Sequence, residues 1–207
     1  MEDYIKSLIK RFDYIQQQRD NWDTHYQELG DYMLPRKADI VKKRSRGEKR
    51  MEQIYDGTAL QAVDLLSASL HGMLTSGASP WFHLDVKDTE FNADDDVREW
   101  LQDTSMRMMR AFNQSNFETE VHEMYVDLVV FGTGCMFVEM DNGNLRCSTR
   151  HISEFYVQED QHGIVDTVFR KYSLSAVAAV KTFGMENVIF SSRPCSSTGA
   201  VAPNACN

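Results

Sequence analysis

The side chains best suited to chemistry here are four cysteines, six histidines, one triplet of aspartates and one dense run of cations. Cys147 and His151 stand at a spacing zinc accepts, but a structural zinc site takes about four such ligands, and no second pair lies nearby in sequence. Cys135 with His122 or with His151 would supply a thiol and a base, the components of nucleophilic catalysis. No local signature accompanies either pair, and Cys135 opens an apolar stretch in which a thiol packs as a small hydrophobe. Asp94, Asp95 and Asp96 precede a helical pattern. Carboxylates are favoured there by the helix dipole, and a hard cation would need further oxygens from elsewhere in the chain. Phe131-Gly-Thr-Gly134 has the glycines of a nucleotide loop in the wrong order, after a helix and before a strand. Phosphate-loop, nucleophile-elbow, zinc-protease and EF-hand motifs are all missing from the sequence. The expectation is a protein that is not an enzyme and uses neither cofactor nor metal.

The cations read differently. Arg36, Lys37, Lys42, Lys43, Arg44, Arg46, Lys49 and Arg50 crowd one segment whose only acidic residues are Asp39 and Glu48. Clustered cations gain counterion-release entropy on a phosphate backbone, which makes these eight the candidate nucleic-acid contacts. The plainer reading is a solvated loop facing an acidic neighbour. No aromatic side chain interleaves the charges to stack single-stranded bases. The net charge of −9 excludes a chain whose whole surface binds nucleic acid, but a local patch depends on distribution rather than on the sum.

The elements that must position these groups follow from periodicity. Tyr4, Ile5, Leu8, Ile9, Phe12 and Ile15 recur at three- and four-residue steps, and Trp22, Tyr26 and Leu29 continue the stripe until Gly30 and Pro35. This predicts a helix over 1–35, followed by a mobile basic loop over 36–50. A second helix from Asp56 to Thr75 carries Leu60, Val63, Leu66, Leu70 and Met73 on one face. Its small residues (Ala59, Ala62, Ser67, Ala68, Ser69) let a neighbour approach, so it is expected to be buried on more than one side. Trp81–Val86 alternates like a strand. A third helix bears Val97, Trp100, Leu101, Met108 and Phe112, and a fourth bears Phe117, Val121, Met124, Tyr125, Leu128 and Val129. Two hairpins follow: Cys135–Met140 with Leu145–Thr149 around Asp141-Asn-Gly-Asn144, and Phe155–Gln158 with Ile164–Arg170. Ser173 is read as the cap of a last short helix. The fold class expected is α+β, mainly helical, with a small antiparallel sheet of hairpins over 51–187. The polar stretch 188–207, rich in Ser, Pro and Gly, is expected to be disordered. No apolar run is long enough to span a bilayer, and the unpaired cysteine pattern suits a reducing compartment.

In order, these pieces resemble the head–tail connector (portal) proteins of short-tailed bacteriophages. Arg19, Trp22, Tyr26, Tyr32 and Pro35 before a basic loop are similar to that family's opening. Ile54-Tyr-Asp-Gly-Thr-Ala59 resembles its helix entry. Leu70-His-Gly-Met-Leu-Thr75 with Pro80-Trp-Phe82 is the most specific stretch. Phe131-Gly-Thr-Gly134 and Asp166-Thr-Val-Phe-Arg170 are similar to later landmarks. The resemblance covers roughly 1–187. It implies a subunit of a ring-shaped homo-oligomer, typically a dodecamer, at one capsid vertex and in the host cytoplasm during assembly. It also implies double-stranded DNA, the terminase packaging motor, scaffolding, capsid and tail adaptor proteins as partners, with no membrane. Residues 51–187 would be the wing-like region, and the stem and clip of the family would lie beyond this sequence, as in a truncated form. The alternative reading is a small nucleic-acid-binding module that uses 36–50.

Overall fold

The computed structural model describes residues 2–45, 47–52, 54–86, 95–141 and 143–185. Arg46, Asp94, Cys195, Cys206 and the tail 188–207 lie outside the described residues. The chain is α+β and mainly helical, with two separate two-stranded antiparallel sheets. It divides into two compact units, one of Met1–Trp22 with Ser153–Asn207, the other Asp23–Ile152.

Helix α1 runs Glu2–Met33 and its chain passes through both units. In the first unit its stripe meets a hairpin of β3 (Phe155–Glu159) and β4 (Val165–Arg170). Phe12 packs edge-on against Tyr156 at 5.0 Å and tilts toward Phe169 at 5.8 Å. Arg19 lies over the Tyr156 ring at 4.3 Å and donates to the Phe155 carbonyl. Ile15 is buried, whereas Tyr4, Ile9 and Trp22 of the same stripe stay at least half exposed. The β3–β4 turn is held by Asp160, whose carboxylate accepts from the His162 and Ile164 amides, and Gly163 takes the positive φ of 76° that the turn requires. Helix α5 is Ala176–Phe183, capped by Ser175 rather than by Ser173: the Ser175 hydroxyl accepts from the Ala178 amide.

In the second unit α4 (Phe117–Phe131) is central, packed against α2 (Thr58–Leu74), α3 (Asp95–Gln114) and a hairpin of β1 (Cys135–Asp141) and β2 (Asn144–Arg150). Its register sets Cys135 opposite Arg150 and Val138 opposite Cys147. Because α4 is covered on several sides, its buried set (Val121, Tyr125, Val126, Asp127, Val130, Phe131) is wider than one stripe, and Leu128 is outside it at 42% exposure. Trp81, Phe82, Phe112 and Phe117 form one aromatic cluster, with Trp81 stacked on Phe117 at 5.8 Å.

Three expectations are corrected here. Trp81–Val86 forms no strand, because the segment lies against α3, where the Leu84 amide donates to the Ser105 hydroxyl instead of to a neighbouring strand. Helix α3 buries Leu101, Ser105 and Met109, a row four residues apart, and leaves Trp100 65% exposed. Helix α2 buries only Val63 and Ser67, while Leu66 and Met73 of its expected inner face point outward. No helix among the described residues is long and apolar enough to cross a membrane.

Candidate nucleic-acid interface

The basic segment leaves α1 through a single 3-10 turn, Pro35–Lys37, where the missing amide of proline costs nothing. Half of its eight cations are answered from within the chain. The Lys37 ammonium reaches both oxygens of Asp127, at 2.7 and 2.8 Å, and Glu123 at 3.1 Å. Arg36 also reaches Glu123, at 2.9 Å. The Lys37 carbonyl accepts from the His151 Nε2–H at 2.8 Å. Arg44 donates to Asp31 at 2.8 Å and lies 3.7 Å from Asp39. Arg50 pairs with Asp39 at 2.5 Å and donates to the Arg36 carbonyl at 3.2 Å.

These contacts shift charge states in opposite directions. Burial pushes the Asp127 carboxyl above its ordinary range and outweighs the pull of Lys37. Burial would raise Glu123 as well, but the bonds from Arg36 and Lys37 together prevail and hold it below its ordinary value. The bond to Asp31 raises Arg44 against its own desolvation.

The organising residue is one that the sequence reading passed over. Gln27, 5% exposed on α1, accepts the amides of Ile40, Val41 and Lys42 on a single oxygen, at 3.2, 2.9 and 3.0 Å. Its amide nitrogen donates to the Ala38 carbonyl at 2.5 Å and to Asp31 at 3.0 Å. The available signal was a pair of polar residues, Gln27 and Asp31, one turn apart and beside the apolar stripe. Gly30 completes the fit: a Cβ there would lie 3.1 Å from the Ala38 Cα.

Of the eight predicted contacts, Arg36, Lys37, Arg44 and Arg50 therefore face carboxylates of the chain itself. Lys42, Lys43 and Lys49 are exposed, and among the described residues none has a carboxylate partner.

The other candidate groups are placed as follows. Cys147 is buried, with its thiol pushed up first by burial and then by Glu120. Its backbone is held by Asn116 through two bonds of 2.8 Å. The His122 ring lies 5.7 Å from that of His71. Asp95 pairs with Arg98 of its own helix. Among the described residues no three His, Cys, Asp or Glu side chains converge as a metal would require.

The family of bacteriophage head to tail connecting proteins matches residues 5–199. The probable portal protein of Bordetella phage BPP-1 and the portal protein of Salmonella phage epsilon15 are each 32% identical over 183 residues, which cover 87% of this chain and 33% of the relative. The chain belongs to the bacteriophage head to tail connecting protein family. It spans about a third of the length of these curated relatives.

Proposed function

We propose that the chain is a structural subunit of a phage portal, a homo-oligomeric ring at one vertex of the head through which double-stranded DNA is packaged and ejected. The family match across residues 5–199 carries this reading. Its partners are then further copies of itself, double-stranded DNA, the terminase motor, scaffolding and capsid proteins and a tail adaptor. It is assembled in the host cytoplasm and retained in the virion. Residues 51–187 are the wing-like part, and the segment 36–50 faces DNA through Lys42, Lys43 and Lys49, with Arg46 as a fourth cation from the same run. Three exposed lysines without a carboxylate partner among the described residues, the first of them on an amide held by Gln27, support that assignment.

Immunogold labelling of DNA-filled particles with an antibody to this chain tests the reading. Label at a single vertex, where the tail joins, is expected. Label distributed over the shell, or confined to tail appendages, overturns it.

A further inference from the structure

Four cations of the basic segment are paired within the chain, and the pairs differ in what the departure of the cation would leave behind. Lys37 and Arg44 are largely buried, and the side chains of their partners Asp127 and Asp31 are 2% and 8% exposed. Taking the cation from either pair would strand a buried carboxylate, which is strongly destabilising. Arg50 and Asp39 are more open, but one Asp39 oxygen is buried without a hydrogen-bond partner and the other is held by Arg50 at 2.5 Å. The departure of Arg50 would therefore take from Asp39 the bond on which it depends.

Arg36 is different. Its side chain is 54% exposed and meets one Glu123 oxygen at 2.9 Å, while Lys37 meets the other at 3.1 Å. Lys37 keeps that position through its two bonds to Asp127. Arg36 can thus leave without stranding its carboxylate, and an exposed ion pair is weak enough for little to oppose the exchange. Against its burial, the bonds from Arg36 and Lys37 hold the Glu123 carboxyl below its ordinary value, so Glu123 is ionised at neutral pH and the pair is present. The backbone also places Arg36 with the open cations. Arg50 donates to the Arg36 carbonyl at 3.2 Å, which brings the end of the segment back to its start and sets Lys49, the neighbour of Arg50, close to Arg36. A polyanion drawn to Lys49 arrives beside a guanidinium able to change partners, and a guanidinium offers phosphate the same fork it offers a carboxylate.

We infer that Glu123 is an internal competitor of the phosphate backbone: it holds Arg36 in the free chain and yields it to duplex DNA, while Lys37 stays with Glu123 and Asp127. This rests on the reading that the segment 36–50 faces DNA. It adds Arg36 as a contact made only in the bound state, and it lets a residue of α4 set the affinity of a segment to which it does not belong.

Binding of a labelled DNA duplex at low salt, followed by fluorescence anisotropy, tests it with Glu123→Gln, Arg36→Ala and the two combined. Glu123→Gln should tighten binding. The gain should be about two- to fivefold larger with Arg36 present than in the Arg36→Ala background, the range an exposed ion pair supplies. Loss of a negative charge alone would give equal gains, because its field acts on the duplex with or without Arg36. Equal gains therefore overturn the inference, as does a Glu123→Gln chain that binds no tighter than wild type. Either result, with gold label still at one vertex, leaves the portal reading standing. A chain that binds no duplex overturns the inference and the DNA assignment of 36–50 together. Urea midpoints at neutral pH check that each variant folds. If Glu123→Gln disturbs folding, Glu123→Asp, which keeps the charge and shortens the reach to Arg36, carries the same comparison.

Discussion

At the scale of single residues, Gln27 and the Lys37 cluster decide how the basic segment is held. Replacing Gln27 by Leu keeps its bulk but removes the acceptor of three amides and the donor to Ala38. A buried donor left unmade costs about 1–3 kcal/mol, and the partly exposed amides recover some of this from water, so a total loss of about 2–4 kcal/mol is expected in urea unfolding. Hydrogen exchange at 40–42 should accelerate in the same variant, and unchanged exchange would exclude the role given to Gln27. The cluster also predicts two opposed pH dependences. Glu123 is depressed in the folded chain, so its stabilising effect is complete above its ordinary value of 4.5 and is lost as pH falls through the folded value. The advantage of wild type over Glu123→Gln should therefore shrink below about pH 4.5. Asp127 is raised, so its ionisation weakens the fold as pH climbs from its ordinary 3.8 through the folded value. Asp127→Asn should remove that loss. Urea midpoints between about pH 3 and pH 7 read both slopes, and parallel curves for the two variants would refute the assignment.

At the scale of elements, the existence of helices and hairpins was legible and their faces were less so. The stripe of α1, the Asp141–Asn144 hairpin signal and the stop at Gly132 all follow from local chemistry. Gly132 takes a φ of 72° at the end of α4, as a helix terminus prefers. Its neighbour Gly134 serves a different purpose: a Cβ there would lie 2.8 Å from Met124 Cγ and 3.1 Å from the Met124 carbonyl. A glycine needed for close approach looks the same in sequence as one needed for a turn. Gly134→Ala should cost about 1–3 kcal/mol in thermal or urea unfolding, since the carbonyl belongs to a packed helix and cannot withdraw. Faces were missed for a related reason. In α3 the apolar spacing favours Trp100 and Met108, and the actual row through Leu101, Ser105 and Met109 includes a serine. Its hydroxyl bonds inward to Leu101 and accepts from Leu84. In α2 nearly every position is apolar or small, so periodicity could not say which side meets α4. Trp81–Val86 has strand alternation, but alternation does not supply a partner strand.

At the scale of the whole molecule, the candidate site was legible as a run of charge but not as a division of labour. Eight cations look equivalent in sequence. Folding assigns four of them to Asp31, Asp39, Glu123 and Asp127; of these Asp39 lies within the segment, whereas Glu123 and Asp127, up to 90 residues away, were invisible to local reading. The division predicts that Lys42, Lys43 and Lys49 changed together to Ala weaken binding to double-stranded DNA and flatten its dependence on log salt by about 2–3 units, at about 0.9 per phosphate contact. Binding that keeps its slope in this variant would place the DNA contact elsewhere. The order of landmarks along the chain pointed to the connector family more securely than any single residue pointed to a site, because sequence order survives where side-chain exposure depends on the fold.

The capture of three consecutive amides by Gln27 has a mechanical consequence. Such a row of N–H groups is a natural phosphate cradle, and here it is filled by the chain's own side chain. On the portal reading proposed above, a passing duplex would meet the long, swivelling ammonium groups of Lys42, Lys43 and Lys49, the first of them on an amide held by Gln27. Such groups would attract phosphate without reading bases and without a preferred register. A duplex sliding past would meet no detent: each grip is as good as the next, and the segment would act as a low-friction bearing rather than as a clamp.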